Sequence, residues 1–505
     1  MTTPDPQTDL PTPGTTETGS FTAAAQAGST PSAQTDRPTP ATPGAQADSL
    51  TRIAVIGSGP AGFYAAGHLL KDSGGLIEVD MFERLPTPWG LVRSGVAPDH
   101  PKIKSVTRVY EKTAAHPRFR FFGNVEFGSD IGYEELREHY HAIVYATGAP
   151  TDRPMRIPGE ELAGSRPATE FVGWYNGHPD FCDHDFDLSC ERAVVIGNGN
   201  VALDVARMLT LSHNELAVTD TADHALEVLE HSRISEIVVV GRRGPAQAAF
   251  THPELLELGE LEDADVIVDG KELERALAVH DAHMEPTAER NVKTLREYAA
   301  REPAGRRRRI VLRFLLSPVE LRGDEHGAVR TVELVRNELV ADADGWLRAQ
   351  PTEERESMPA GLVMRAIGYR GVALPGVPFD ERAAVIANEG GRVRGDQGVR
   401  RGEYVVGWIK RGPSGVIGTN KKDAQQTVNA IFEDLEAGAL LQPPRPDPEE
   451  LLSVLQERKP DLVTYEGWSE IDRHERGLGE PAGRPRVKLT RIEELLQVAA
   501  SERVA

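Results

Sequence analysis

Residues 52–62 read R-I-A-V-I-G-S-G-P-A-G, and this stretch decides the fold. Four consecutive apolar residues, Ile53 to Ile56, mark a strand buried on both faces, the habit of parallel sheets sandwiched between helices. The glycines that follow are spaced as Gly57, Gly59 and Gly62. Gly57 permits a tight turn, Gly59 lets the backbone approach a pyrophosphate, and Gly62 lets the next helix pack closely on its strand. The alanine-rich run from Phe63 to Leu70 supplies that helix, whose N-terminus offers N–H donors and partial positive charge to phosphates. A lone glycine fingerprint is weak, but the next apolar segment, Ile77 to Phe82, ends on Glu83. That lies about 20 residues past the last glycine, where an acid is needed for ribose hydroxyls. An ordinary solvated carboxylate is the alternative for Glu83.

The pattern recurs at Ala193-Val194-Val195-Ile196, followed by G-N-G-N-V-A with Gly197, Gly199 and Ala202 at the three key positions. Alanine is admitted at the third. The next strand, Ile237 to Val240, is delayed by an acidic helical insertion at roughly 213–233 and ends in Gly241-Arg242-Arg243 instead of an acid. Paired guanidiniums bind a 2′-phosphate through charge-assisted hydrogen bonds, which favours NADP(H) over NAD(H); a solvated arginine pair capping a strand is the alternative. At the first site, the strand Ala142 to Tyr145 runs into Ala146-Thr147-Gly148, the A-T-G turn found where flavin-binding and nicotinamide-binding folds join. With the first fingerprint it points to FAD, and puts Gly148 at the cofactor. Apolar runs at Leu362 to Ile367 and Tyr404 to Val406 read as further buried parallel strands. Residues 284–309 and 441–500 have helical periodicity and high charge, which places them on the outside. The fold class expected is α/β, with two Rossmann-like three-layer dinucleotide-binding domains.

Composition bounds the function. The 505 residues are 39% hydrophobic and 27% charged, with a formal net charge of -21. No apolar run approaches the roughly 20 residues of a membrane-spanning helix, and the acidity argues against nucleic acid or an anionic membrane as partner. Cys182 and Cys190 form neither a C-x-x-C pair nor half of a zinc site, so no metal site is expected, and reduced thiols in a cytoplasmic protein are the simpler reading. A flavin disulfide reductase needs a redox-active cysteine pair that these two do not provide. Residues 1–48 are rich in Thr and Pro and poor in large apolar side chains, as a disordered tail is. They lack the features of a signal or transit peptide.

Longer motifs carry a resemblance. F-E-R-L-P-T-P-W-G-L-V-R-S-G-V-A-P-D-H-P-K-I-K from Phe82 to Lys104, G-N-G-N-V-A-L-D-V-A-R, V-G-R-R-G-P-A-Q-A-A-F-T and G-W-I-K-R-G-P-S-G-V-I-G-T-N-K-K-D-A closely resemble the adrenodoxin-reductase-like ferredoxin-NADP reductases. The match is nearest to the actinobacterial members and spans roughly residues 50 to 500. The resemblance implies an FAD domain built from residues 49–148 and 367–505, the latter with a C-terminal helical extension, interrupted by an NADP domain at 149–366. It puts Ala61, Glu83, Leu91 and Phe127 on FAD, although Phe127 stands where the family usually has a smaller apolar residue. It puts Asn198, Gly199, Asn200, Val201, Arg242, Arg243 and Glu254 on NADP. Trp408, Gly415, Val416 and Ile417 lie along the flavin, with Gly415 also near the nicotinamide. His100 and Glu257 come near the nicotinamide–flavin contact as tuning and positioning groups, His100 being equally readable as a loop residue.

The activity implied is hydride transfer from NADPH to FAD, then single-electron steps to a small acidic iron-sulfur ferredoxin. The ferredoxin serves in turn a haem monooxygenase or another ferredoxin-dependent enzyme. A cluster normally takes four thiolates, so it must reside on the partner. Because this chain is itself acidic, docking requires a focused basic surface; Arg301 with Arg306, Arg307, Arg308 and Arg309, on or beside a helix, supported by Lys102 and Lys104, is the candidate. An NADPH-dependent flavin oxidase or monooxygenase, and a non-catalytic NADPH-binding module, remain alternatives.

Overall fold

The computed structural model describes residues 50–278, 284–342 and 347–501, and the expected disordered tail at 1–48 lies outside them. Thr51–Ile56 forms an inner strand of a seven-stranded sheet and pairs in parallel with both Ile77–Glu83 and Ala142–Tyr145. Its five residues from Arg52 to Ile56 are all buried, because helices cover both faces. Beyond Ile77–Glu83 lies Phe119–Gly123. On the other side Gly398–Val405 joins in parallel to Ala142–Tyr145, followed by the antiparallel edge pieces Arg392–Gly395 and Asn388–Glu389. Chain from both ends of the described protein thus shares one sheet.

The second, six-stranded sheet is drawn from the middle of the chain. Its order is Ser165–Pro167, Leu362–Arg365, Arg192–Ile196, Glu236–Gly241, Arg308–Phe314 and Ala264–Val268, with every pairing parallel. An antiparallel meander of Leu316–Gly323, Val329–Ala341 and Leu347–Pro359 packs beside it. Where the chain leaves the first sheet and where it returns, Thr151–Asp152 and Tyr369–Arg370 pair with one another. The chain therefore belongs to the α/β class with two Rossmann-like units.

Both charged regions contain the expected helices, Pro286–Ala299 in the first, but parts of each lie deeper than an outer layer. Arg308–Phe314 is an internal strand of the second sheet, its alternate residues Arg308, Ile310 and Leu312 buried. The C-terminal helices Pro448–Arg458, Tyr465–Gly479 and Ile492–Ala500 complete the core of the first unit, with Leu455, Trp468, Ile471 and Leu495 at 1% exposure or less. Their charge masked a narrow apolar stripe. One of the charges, Glu475, is itself buried and held by Arg93 and Arg486. Among the described residues no helix is long and apolar enough to cross a membrane.

Candidate functional site

Both glycine fingerprints form strand–turn–helix cradles. Gly57 has φ +104°, and a Cβ there would stand 2.7 Å from the Ala146 carbonyl oxygen, while one at Gly62 would meet the Gly57 oxygen at 2.2 Å. A Cβ on Gly59 would meet nothing within 4 Å, so the space above the turn is open. The helix Pro60–Asp72 starts there with no side-chain cap, leaving its first N–H groups to an outside acceptor. Glu83 closes the end of the second strand and accepts from Ser58 N (3.0 Å), Ser58 Oγ (2.6 Å) and Leu85 N (3.1 Å). These bonds fix its carboxylate beside the turn.

The C-terminal return reaches the same cradle. Gly407 approaches Ala61 so closely that a Cβ would lie 2.5 Å from the Ala61 Cβ. Its N–H donates to Asp423 (2.6 Å), which also pairs with Lys410 (2.9 Å). Trp408 leans on Tyr369 at 5.2 Å, and its buried indole N–H has no partner among the described residues. Gly415 has φ +78° and, with Val416, leads into the long helix Ile417–Glu436. Gly148 also sits at positive φ in open space, Leu91 is exposed, and Phe127 packs edge-on against Tyr145 at 6.0 Å. An open cradle, an uncapped helix and an unpartnered indole N–H fit a dinucleotide.

The second cradle repeats the first. Gly197 has φ +131°, and a Cβ there would stand 2.2 Å from the Ala366 oxygen, whereas one on Gly199 would meet only Ala249, at 3.9 Å. Helix Asn200–Met208 begins uncapped. Asn198 Nδ2 is buried without a partner, Asn200 Oδ1 accepts from Thr251 N (2.7 Å), Val201 is half-buried and Ala202 is fully buried under the turn. At the end of Glu236–Gly241, Arg242 is exposed and Arg243 half-buried, and neither guanidinium has an acid partner among the described residues. They line a cavity of about 620 Å³ with Ser317, Asn337 and Arg348. Uncompensated arginines beside an open turn fit a phosphorylated dinucleotide.

The structure brings His100 and Glu257 together, with Nε2 2.7 Å from Oε2. Around this pair lies a cluster that the sequence reading missed. Arg207 points one guanidinium at Asp99 (2.7 Å), Asp204 (2.8 Å), Glu254 (3.4 Å) and Glu257 (3.5 Å). Asp204 and Arg207 lie three apart on the helix that opens at the second fingerprint, so their shared face was the available signal. Four acids against one guanidinium leave an excess of negative charge. Burial, then the Asp204 charge, pushes Glu254 up to about 7, and burial likewise raises Asp204. Asp99 is held low instead, where the Arg207 ion pair outweighs the opposing effect of burial. Ligand atoms of His100, Asp204 and Glu254 lie within 4.8 Å of one another, but Arg207 already faces both acids.

Of the expected basic surface, Arg301, Arg306, Arg307, Arg309 and Lys102 are exposed, whereas Arg308 and Lys104 are not. Arg308 is 4% exposed and donates to the Leu211 carbonyl (3.1 Å), because it occupies an inward position of a strand. Arg309 pairs with Glu236, and Arg306 bonds the carbonyls of Leu261 and Ala264. Lys104 is bound to Asp220 at 2.6 Å. Arg301, stacked on Tyr298 at 4.7 Å, and the exposed Arg307 and Lys102 have no ion-pair partner among the described residues. Both cysteines are free thiols.

Residues 51–239 match the pyridine nucleotide-disulphide oxidoreductase family. The chain is 54% identical over 451 residues to the NADPH-ferredoxin reductase FprA of Mycobacterium leprae, covering 88% of this chain and 98% of the relative. It is 41% identical over 461 residues to the mitochondrial NADPH:adrenodoxin oxidoreductase of Salvelinus fontinalis, covering 89% and 91%. The structure of Mycobacterium tuberculosis FprA in complex with NADPH superposes with a TM-score of 0.83 at 52% identity, covering 89% of this chain and 100% of that one.

Proposed function

This chain belongs to the adrenodoxin-reductase-like ferredoxin-NADP reductases, and on that premise we propose that it moves electrons between NADPH and a small iron-sulfur ferredoxin. The observation that carries the reading is the pair of open glycine cradles on two sheets, joined by the His100–Glu257 contact. When bound, FAD and NADP(H) supply the redox chemistry, a two-electron hydride exchange coupled to one-electron release. The protein holds, orients and shields.

Residues 49–148 and 367–505 form the FAD domain and 149–366 the NADP domain, which accords with the strands each sheet contains. Gly57, Gly59, Ala61, Gly62 and Gly148 shape the FAD cradle, Glu83 takes its ribose, and Leu91, Phe127, Trp408 and Gly415 to Ile417 line the ring. Gly197 to Ala202 hold the NADP pyrophosphate, Arg242 and Arg243 its 2′-phosphate. His100, Glu257 and Glu254 keep a polar, charge-bearing wall where the two meet. Positioning of this kind is what hydride transfer asks of a protein.

The iron-sulfur cluster resides on the partner, since two cysteines cannot supply four thiolates. An acidic ferredoxin docks against the exposed Arg301 and Arg307, and passes electrons to a haem monooxygenase or another ferredoxin-dependent enzyme. The two free thiols support a cytoplasmic setting. The test is cytochrome c reduction by the purified FAD-loaded protein with and without added ferredoxin, compared for NADPH and NADH. Ferredoxin-dependent turnover with NADPH preferred is expected; reduction of oxygen alone, or a preference for NADH, overturns the reading.

A further inference from the structure

Hydride transfer tolerates little error in the distance between donor and acceptor, so the relation between the two nucleotide-binding units must be fixed somewhere. The His100 contact is one tie. A second lies in a buried cluster of charges around Asp220, which follows the short helix His213–Leu216 of the middle unit.

The Asp220 carboxylate, on a residue 5% exposed, receives two ammonium groups from separate parts of the first unit. Lys104 Nζ lies 2.6 and 2.8 Å from its two oxygens. Lys488 Nζ, from the C-terminal segment, lies 3.2 Å away and spends its other protons on Asn176 Oδ1 and the Arg93 carbonyl, each at 3.2 Å. Asn176 sits at the end of the middle unit's helix Ala168–Tyr175 and is fully buried. Burial drives Lys488 well below the usual lysine range and lowers Lys104 as well. Arg93 and Arg486 stand close by on Glu475. Two ammonium groups on one buried carboxylate contribute little net stability, but they accept one arrangement of the pieces that carry them.

The arrangement matters because of what Lys104 is attached to. It ends the one-turn helix Pro101–Lys104, whose cap residue is His100, and Lys104 N donates to the His100 carbonyl at 3.2 Å. Segment 99–104 is therefore held at both ends by the middle unit, through Asp99–Arg207 and His100–Glu257 at one end and Lys104–Asp220 at the other. We propose that Asp220, acting through Lys104 and Lys488, is a positioning residue that sets the alignment of the His100 segment and of the two nucleotide sites for hydride transfer. This rests on the NADPH–FAD reading above.

The test uses the FAD-loaded Asp220→Asn, Asp220→Glu and Lys488→Met variants in anaerobic stopped flow with NADPH. Three quantities are read: the limiting rate of flavin bleaching, the half-saturating NADPH concentration, and the long-wavelength charge-transfer absorbance. A misplacement of about 1 Å can cost on the order of 100-fold. The limiting rate should fall about 10- to 100-fold in Asp220→Asn and less in Lys488→Met, with half-saturation within about twofold and a weakened charge-transfer band. Asp220→Glu should recover part of the rate. FAD content and thermal midpoint report folding, and if Asp220→Asn fails to load FAD the Lys488→Met enzyme decides alone. A loaded variant with parental rate and parental charge-transfer band overturns the proposal, as does a loss confined to NADPH affinity. A parent protein that NADPH does not bleach overturns the activity itself, an outcome distinct from parental behaviour in the variants.

Discussion

Arg243 is the side chain on which the choice of NADPH rests most heavily. It stands half-buried at the end of Glu236–Gly241, and burial, then the charge of Arg242, lowers its pKa. A guanidinium kept without a counter-ion, beside an open cavity of about 620 Å³, is stabilised by an arriving anion. Arg243→Leu keeps an apolar stem and removes the bonds to a 2′-phosphate. One charge-assisted hydrogen bond is worth about 1.5–3 kcal/mol, so NADPH affinity should fall roughly 10- to 150-fold at 1.4 kcal/mol per decade. NADH has no phosphate there, and its affinity should move by less than about twofold. Arg242 is exposed, so solvent screens it and Arg242→Leu should cost nearer ~1 kcal/mol, about fivefold. Flavin bleaching by each nucleotide, followed in anaerobic stopped flow at low and high salt, reads both quantities. The difference between parent and variant should shrink as salt rises. If Arg243→Leu weakens NADPH and NADH alike, or leaves their ratio within twofold of the parent, the arginines are a solvated strand cap and the assignment of the second site falls.

Gly59 and Gly62 of the first cradle should separate ligand from fold. Gly59→Ala meets open space and should leave the thermal midpoint of apoprotein near the parent while FAD retention drops; Gly62→Ala drives a Cβ into the Gly57 oxygen at 2.2 Å and should destabilise the apoprotein itself, as circular dichroism melts would show. Glu254 offers a pH signature. Its folded pKa, pushed to about 7 by burial and then by Asp204, lies above the ordinary 4.5, so its protonation favours the fold below about pH 4.5 and that contribution is lost as pH rises through 7. Glu254→Gln, neutral throughout, should flatten the melting midpoint across that window and gain on the order of 1 kcal/mol above it, after allowance for solvent screening; a parental pH profile speaks against the assignment. Charge reversal at Arg301 and Arg307 should raise the KM for ferredoxin several-fold and weaken its salt dependence while direct bleaching by NADPH is untouched. Unchanged salt sensitivity would move the docking surface elsewhere.

The features legible in the sequence are those encoded within a few residues. Ile53 to Gly62 and Ala193 to Ala202 each spell a strand, a turn and a helix start, because a parallel strand is apolar throughout and the turn needs glycine where φ is positive or backbone approaches backbone. Glu83 and Arg242–Arg243 were placed by the same logic, each at the end of the strand that follows its turn. In the Arg306 to Arg309 run only Arg308 points inward, and it was not legible because periodicity within four residues cannot distinguish an exposed helix from a strand that buries alternate side chains. The C-terminal segment was legible as helices, but its depth was not. Their high charge suggested an outer layer, yet Trp468 and Ile471 fill the core on a stripe narrower than composition reveals.

What sequence withholds most completely is partnership across the chain. Lys104 and Asp220 are 116 positions apart, and Arg93 and Glu475 are 382 apart. A net charge of -21 reads as a repulsive, solvated surface, but several of those acids are internal and matched to arginine or lysine from a distant segment. Some of these matched groups lie where the two sheets' units meet: Asp99 with Arg207, and Asp220 with Lys104 and Lys488. An apolar seam would let the units slide over one another at small cost, whereas a seam of paired charges has few acceptable registers. For a protein whose chemistry depends on the separation of two bound rings, pairs such as these key one unit to the other, while the net charge of -21 stays with acids outside such pairs.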